Sequence, residues 1–456
     1  MEANNKMAEM PVQKLMLNMG IPMILSMMLQ AAYNIVDSAF VANMSGDGEA
    51  ALNALTLAFP VQMLMVAVAI GTGVGTNALL ARTLGQGKRD KASRVAGNGV
   101  FLAWVISAAC ILFGLFGVRP YIASQTKNAE ILAMAVDYLR ICCVIPFGIV
   151  FFSLFEKLLQ AAGRSLYSTV AQVAGAVTNI VFDPILIYGL LGLPAFGVRG
   201  AAYATVLGQL VSCVVALAFH LKHDREWDRG LRWKKPSWHT IREIYSIGLP
   251  AIIAQALMSV MTYALNLIFV RVDEAVVTAY GLYYKIQQFV LFAAFGLRDA
   301  ITPVLSFNYG RGIRRRVDDS IRWGMGYTLV IMAAGLVIVE VLAVSLAQVF
   351  GLSGQTEALC VQAMRIVSLS FLFAGMNVAF QGIFQALDCG VESLVLSLLR
   401  QVVVILPLAW GFSRIARANG GMTWLIWWSF FIAEGVTAAV ACLLMRRIHT
   451  KRLEEF

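Results

Sequence analysis

Charge is what this sequence has least of. Only 14% of its 456 residues are Asp, Glu, Lys or Arg, where a soluble domain carries about 25%. That shortfall excludes a soluble enzyme of this size. Histidine is scarce too: His220, His223, His239 and His449 are the only four, and all fall in or beside polar loops. No apolar segment therefore offers a His-based metal or haem site, and none of the seven cysteines forms a Cys-x-x-Cys. The cysteines read as small apolar filler. Gly71, Gly73 and Gly75 in GTGVGTN lack a following Gly-Lys-Ser/Thr, so they read as close helix packing and not as a phosphate loop. Missing as well is the large polar outer loop or metal-binding carboxylate motif that a membrane-embedded glycosyl-lipid enzyme would use, and this places such an enzyme, with Asp37 or Glu434 as its acid, behind transport.

What the sequence has is apolar length. Hydrophobic residues make up 59% of it, and a spanning helix needs roughly 20 of them in a row. Twelve spans are expected, near 15–42, 52–81, 97–118, 131–156, 166–191, 199–221, 245–270, 277–304, 322–349, 357–385, 392–413 and 423–445. The fold class is an all-α membrane protein. The start MEANNKMAEM followed by a long apolar run from Leu15 does not fit a cleaved signal peptide, so the amino terminus is expected to be retained.

The 36 Lys and Arg exceed the 26 Asp and Glu, leaving a formal +10. About 25 of the basic residues fall on the side holding the termini and about six on the other. Both termini are expected in the cytoplasm of a plasma (inner) membrane, and the positive balance reports orientation, with no nucleic-acid partner implied. The 43–51 loop, with Asp47 and Glu49 and no base, fits an outer loop.

A repeat organises the chain. At an offset of about 225, Gln62 meets Gln287, Gly85 and Gly87 meet Gly310 and Gly312, Arg140-Ile141 meets Arg365-Ile366, and Gln160-Ala161 meets Gln385-Ala386. Gly20-Ile21-Pro22 echoes Gly248-Leu249-Pro250. Six spans per half is an even number, so the halves insert the same way up and relate by a pseudo-two-fold axis along the membrane normal. The expected organisation is an amino-terminal lobe over 1–221, a polar cytoplasmic linker over 222–242 and a carboxy-terminal lobe over 243–456. A two-lobe repeat belongs to transporters that rock about a central site and disfavours a passive channel.

Inside such spans every ionisable residue needs a reason, since an Asp at the bilayer centre costs about 2.5–3.5 kcal/mol. Asp37 lies in span 1 with Tyr33 four residues and Asn34 three residues back, on one helix face. Asn179 and Asp183 are four apart in span 5, and Pro184 leaves the Ile180 carbonyl without its helical donor. If the two spans meet, these oxygens form a site for a proton or for sodium, the latter held by Asp37, Asn179 and Asp183. The alternative is hydrogen-bonding glue between helices. The repeat argues against glue: the counterparts are Leu265 or Asn266 for Asp37, and residues among Val402, Val404, Leu406 and Leu408 for the span 5 pair. Scaffold recurs; the acids do not.

Arg140 and Arg365 do recur and read as structural, with Asp137 as a local partner for Arg140. Arg298 and Asp299 are expected to be solvated or paired. Glu434 is expected to pair with Arg400 or Lys285, as a structural ion pair or a second site. Gln62, Gln287, Gln160 and Gln255 are expected to flank a substrate cavity, together with Asn266. A methionine run on spans 1 and 2, including Met27 and Met65, offers a polarizable surface for ligands of varied shape, although most methionines in apolar helices simply pack.

These marks together resemble one family, the multidrug and toxic compound extrusion (MATE) transporters. The resemblance covers nearly the whole chain: Pro22, Tyr33 and Asp37 on span 1, GQGKRDKA after span 2, LQAAGRS after span 4, NIVFDPILI on span 5, GVRGAAYATVLGQ on span 6 and FNYGRG after span 8. It implies two six-helix lobes around a V-shaped cavity and the export of organic cations or amphipathic drugs in exchange for H+ or Na+, with no cofactor. It implies further that Asp37, Asn179 and Asp183 are the coupling cluster, that Tyr33 and Thr205 are its neighbours, and that span 1 bends at Pro22. Spans 7 and 10 offer only Asn266 and Asn377 where the NorM-like branch carries acids, so the sequence looks more like the DinF-like branch. The protein is expected to act as a monomer in the bilayer. The runner-up is a flippase for a lipid-linked oligosaccharide of the same superfamily, which would need basic residues such as Lys285 and Arg400 in its cavity.

Overall fold

The computed structural model describes residues 2–44, 48–349 and 354–453. Asp47 and the side chains of Asn34 and Glu49 lie outside what it describes. All regular structure among the described residues is helical. The helices are α1 (Glu2–Glu9), α2 (Val12–Ala42), α3 (Gly48–Gly85), α4 (Arg89–Phe116), α5 (Val118–Ala123), α6 (Ala129–Val144), α7 (Phe147–Ala161), α8 (Ser165–Tyr188) and α9 (Val198–His223). They continue with α10 (Trp238–Phe269), α11 (Glu274–Gly310), α12 (Arg314–Val349), α13 (Gly354–Ser368), α14 (Phe371–Ala386), α15 (Gly390–Leu398), α16 (Ile405–Ala418) and α17 (Trp424–Ile448). Among the described residues ten helices are long and apolar enough to cross a membrane, or up to 12 if each of two bent pairs is one span. Large apolar side chains such as Trp104, Phe116, Val214, Val341 and Leu443 are exposed, as lipid-facing residues must be.

The bent pairs are the expected fourth and tenth spans. α6 meets α7 at 46° and α13 meets α14 at 54°. In the first, Pro146 forces Ile145 out of the helical region, to φ −116° and ψ 64°. In the second, Ser370 closes the turn, its N–H and Oγ both donating to the Val367 carbonyl at 2.9 and 2.6 Å.

The repeat is visible in detail. Gly87 and Gly312 take left-handed φ of 68° and 69° after α3 and α11. After α7, Gly163 has φ 79°, and Asp388, 225 residues later, holds the same conformation at φ 60° without glycine's freedom. Gln160 donates to Ser168 Oγ (3.5 Å) as Gln385 does to Ser393 Oγ (3.4 Å).

The chain divides into two compact units. Unit 1 holds residues 1–10 and 25–252, and unit 2 holds 11–24 and 253–456. The division differs from 1–221, 222–242 and 243–456 because α2 and α10 each contribute to both units, changing over two residues beyond Pro22 and Pro250 respectively. In unit 1 the first turns of α10 pack on α3 through glycine: a Cβ on Gly75 would lie 2.1 Å from the Ile244 carbonyl oxygen, and one on Gly248 2.9 Å from that of Gly71. The GTGVGTN glycines are helix-packing residues. In unit 2 the start of α2 packs on α11 in the same way, with a Cβ on Gly296 falling 2.6 Å from Ile24 Cα.

The 222–242 segment belongs to unit 1 and is no freely solvated linker. Arg164, in the turn before α8, donates to Asp224 Oδ1 (2.6 Å) and Glu226 Oε1 (2.5 Å), and His220 Nδ1 lies 2.7 Å from Asp224 Oδ2. Trp227 is buried against the His220 ring. Asp228 accepts from Trp233 Nε1 at 2.8 Å, and its backbone N–H donates to Ser93 Oγ at 2.7 Å. Burial pushes the Asp224 carboxyl above its usual value, against the opposing pull of His220 and Arg164.

Candidate functional site

The site in unit 1 is assembled by the close approach of α8 and α9. A Cβ on Gly175 would fall 2.5 Å from the Gly208 carbonyl oxygen, and one on Gly208 would fall 3.0 Å from Asn179 Cβ. Two facing glycines thus bring the backbones together and lay Asn179 against α9. With the amide turned to suit its neighbours, its Nδ2 donates to Asp183 Oδ2 (3.3 Å) and its Oδ1 accepts from the Thr205 N–H (3.2 Å). Asn179 and Asp183 are both buried. Pro184 follows inside the helix and has no N–H for the Ile180 carbonyl.

α2 supplies the second acid. Asp37 is in hydrogen-bond contact with Asp183, and the Tyr33 phenol lies close to both carboxyl groups. One oxygen of each acid, Asp37 Oδ1 and Asp183 Oδ1, is buried without a hydrogen-bond partner. Two carboxylates in contact repel unless a proton lies between them. The arrangement is built to take up one positive charge, and no third His, Cys, Asp or Glu joins it into a metal-type cluster among the described residues.

A cavity of about 60 Å³ has Ser26, Met27, Tyr33, Asn179 and Thr205 in its wall, and neither acid lines it. That volume admits a few waters and falls far below the roughly 300–1,000 Å³ of a pocket for a drug-sized ligand. Glu156 and Lys157 line its other end, and Gln160 bonds to both, at 3.1 Å each.

The remaining candidates scatter. Gln62 donates to Tyr138 Oη (3.2 Å) and Cys142 Sγ (3.5 Å), which ties α3 to α6 beside the acids. Tyr138 also reaches Thr205 and lies near Asp37, a member of the site that the sequence reading missed. Its counterpart at the 225 offset is Ala363, so the asymmetry that picked out the acids applies to it as well. Met65 packs among the apolar residues of α3 and α6, its Sδ 3.5 Å from Cys143 Sγ. Gln287 lines a separate cavity in unit 2, whereas Gln255 and Asn266 are half-buried on α10 and line neither cavity. Pro22 lies inside an unbroken α2.

Among the other charges, Asp137 pairs with Arg199 at 2.7 Å, whereas Arg140 is exposed. The local pairing expected from their spacing yields to a stronger partner from α9. Arg298 and Asp299 bond to each other at 2.8 Å. Glu434 pairs with Arg400 at 2.5 Å, and Lys285 is exposed.

Known proteins match this chain over its full extent. The family model MatE covers residues 22–185 and 250–410, one stretch in each half of the repeat. The multidrug export protein MepA of Staphylococcus haemolyticus is 25% identical over 97% of this chain and 95% of its own. MepA of Staphylococcus aureus is 27% identical over 95% and 94%. Among solved structures, a multidrug resistance MATE family transporter of the MOP superfamily in an outward-facing conformation superposes with TM-score 0.91 at 26% identity, covering 99% of this chain and 98% of that one. A MOP superfamily transporter from Pyrococcus furiosus gives 0.88 at 26%, covering 98% of each. With both halves of the repeat inside the family match and the helical architecture shared from end to end, this chain belongs to the MatE family, the MATE transporters.

Proposed function

We propose that the protein is a secondary-active exporter that moves organic cations or amphipathic compounds out of the cell in exchange for protons, with Asp37 and Asp183 as the coupling pair. The observation that carries the reading is the contact between these two carboxyls, each with one buried unpartnered oxygen, in one unit only. The names of the relatives, multidrug export proteins, support the substrate class. The chain is a multi-pass membrane transporter of small organic compounds, not an enzyme, and needs no cofactor. We place both termini in the cytoplasm on the strength of the basic loops and take the working unit to be one chain.

A proton accounts for the site better than sodium. One proton suffices to bridge Asp37 and Asp183. Its arrival or departure changes what Tyr33 and Asn179 bond to, and through Asp37 and Tyr33 it acts on α2, whose Pro22 marks the segment able to respond. A flippase for anionic lipids is poorly served, since Arg400 is held by Glu434 and Lys285 is exposed.

The test is export of tetraphenylphosphonium by purified protein in liposomes under an imposed pH or sodium gradient. The pH gradient is expected to drive export and the sodium gradient to add nothing. Asp37→Asn and Asp183→Asn should each bring proton-driven flux down to the passive leak while the protein folds normally. Full flux in both variants would sink the coupling assignment; flux driven by sodium alone would transfer the role to that ion.

A further inference from the structure

Unit 1 carries a second cavity, lined by none of the coupling residues, at the end of the bundle where α4 begins and α9 ends. α4 and α9 both pack on α7 and scarcely touch each other, which leaves a furrow between them with α7 as its floor. Its walls are Ala96 and Val100 of α4 and Leu217 and Leu221 of α9, over Phe155 and Leu158 of α7, and it encloses about 190 Å³. The furrow continues along the helices. Trp104 stands one turn beyond Val100, its ring 5.0 Å from that of Phe151, and Val214 stands one turn before Leu217, both exposed.

The 222–242 segment roofs this furrow without filling it. It is seated on α4, where a Cβ on Gly97 would lie 2.2 Å from the Trp233 carbonyl oxygen and Asn98 Oδ1 accepts from the Ser237 N–H at 2.8 Å. Into the roof Trp227 and Trp233 bring apolar rings, and Arg229 and Lys234 bring charge. The acids of the segment are already engaged. Asp228 accepts from the Gly230 N–H (3.0 Å), Trp233 Nε1 (2.8 Å) and Arg232 Nη2 (3.0 Å), and Asp224 and Glu226 are held by Arg164. The two bases are not. Arg229 commits only Nη1, to the carbonyls of His220 (3.3 Å) and Leu221 (2.8 Å), which covers the negative end of α9. Lys234 Nζ bonds to none of the described residues.

An apolar furrow between spanning helices, roofed by two bases with open donors, is complementary to an amphiphile that has an alkyl chain and an anionic head. In a bilayer that amphiphile is a lipid. We propose that the furrow holds an acyl chain of an anionic phospholipid such as phosphatidylglycerol, with the phosphate against Arg229 and Lys234. The head lies on the side that the basic loops assign to the cytoplasm. The lipid then ties the segment that leads into α10 to the ends of α4 and α9, at a site separate from the coupling pair.

The probe is phosphatidylglycerol carrying a diazirine in one acyl chain, photolysed on the full chain in dodecyl maltoside, with the labelled peptides mapped by mass spectrometry. Label is expected within a turn of Val100 and of Leu217. Unlabelled phosphatidylglycerol should displace it at least about tenfold better than phosphatidylcholine does. Arg229→Gln with Lys234→Gln should bring that preference close to one. Arg94→Gln with Arg242→Gln, a pair of exposed bases that do not line the cavity, should leave it unchanged. Val100→Trp fills the furrow with both bases in place and should abolish the label near Leu217. Label confined to other helices, equal displacement by the two lipids in the wild type, an equal fall in both charge pairs, or undiminished labelling of Val100→Trp would each overturn the proposal. So would glycerophosphate, a head without a chain, competing as well as the lipid, since the cavity would then be a site for free anions. No transport is measured, so this inference and the export reading stand or fall separately.

Discussion

Gly175 acts through the side chain it lacks. A methyl group there would sit 1.8 Å from Ser212 Oγ and 2.5 Å from the Gly208 carbonyl oxygen, so Gly175→Ala must push α8 away from α9 and pull Asn179 off the Thr205 N–H. The expected cost is about 1–3 kcal/mol, read as a lower thermal midpoint, accompanied by a loss of proton-driven export. Unchanged stability and flux would show that the helix contact does not position Asn179. The acids of this site were legible because a carboxylate in a membrane helix is costly and because the second half of the repeat omits both. Tyr138 was not, since a tyrosine in an apolar helix reads as packing until Gln62 is found 3.2 Å from its hydroxyl. Arg140 shows the converse failure: spacing of three residues favoured Asp137, but local rules are blind to Arg199, which comes from a different helix.

At the scale of elements, the breaks matter more than the helices. Twelve apolar stretches were readable from length alone, and the bend before Pro146 was latent in the sequence because the residue preceding a proline avoids the helical region. The matching bend at Ser370 has no proline and leaves no comparable mark. Pro250 has a consequence of its own. Both α2 and α10 change from one compact unit to the other two residues beyond a proline, and Pro250 cannot donate to the Ser246 carbonyl, as Pro22 cannot to that of Asn18. Pro250→Ala is therefore expected to slow export roughly three- to tenfold while substrate affinity moves less than about twofold, the pattern of a conformational step and not of a binding contact. Equal turnover in variant and wild type, measured in the same liposomes, would leave Pro22 as the sole candidate hinge.

At the scale of the molecule, the positive segment between the halves is a built part of unit 1. Arg164 holds Asp224 and Glu226, both buried. Arg164→Met would leave Glu226 without its cation and Asp224 with His220 alone, at an expected cost of about 3–5 kcal/mol, and should open Arg225 and Arg229 to trypsin well before the wild type is cut. A cleavage rate identical to wild type would show that the cluster does not hold the segment down. The pH dependence has a definite sign. Burial raises the Asp224 pKa above the ordinary 3.8, so the folded state binds that proton more tightly than the unfolded chain does, and this contribution to stability is complete below about pH 3.8 and is lost as pH climbs through the raised value. Composition gave no hint of this docking, because charged loops look alike whether solvated or buried. The π turn over Leu399–Val403, between α15 and α16, has a consequence for anyone who would engineer the protein by copying one half onto the other. An extra residue in a helix turns everything beyond it by about 100°. Val404 and Leu408, the counterparts of Asn179 and Asp183 at the 225 offset, are therefore rotated off the face that the same offset assigns before Leu399, so an amide and an acid copied there by register would not reproduce the arrangement of α8.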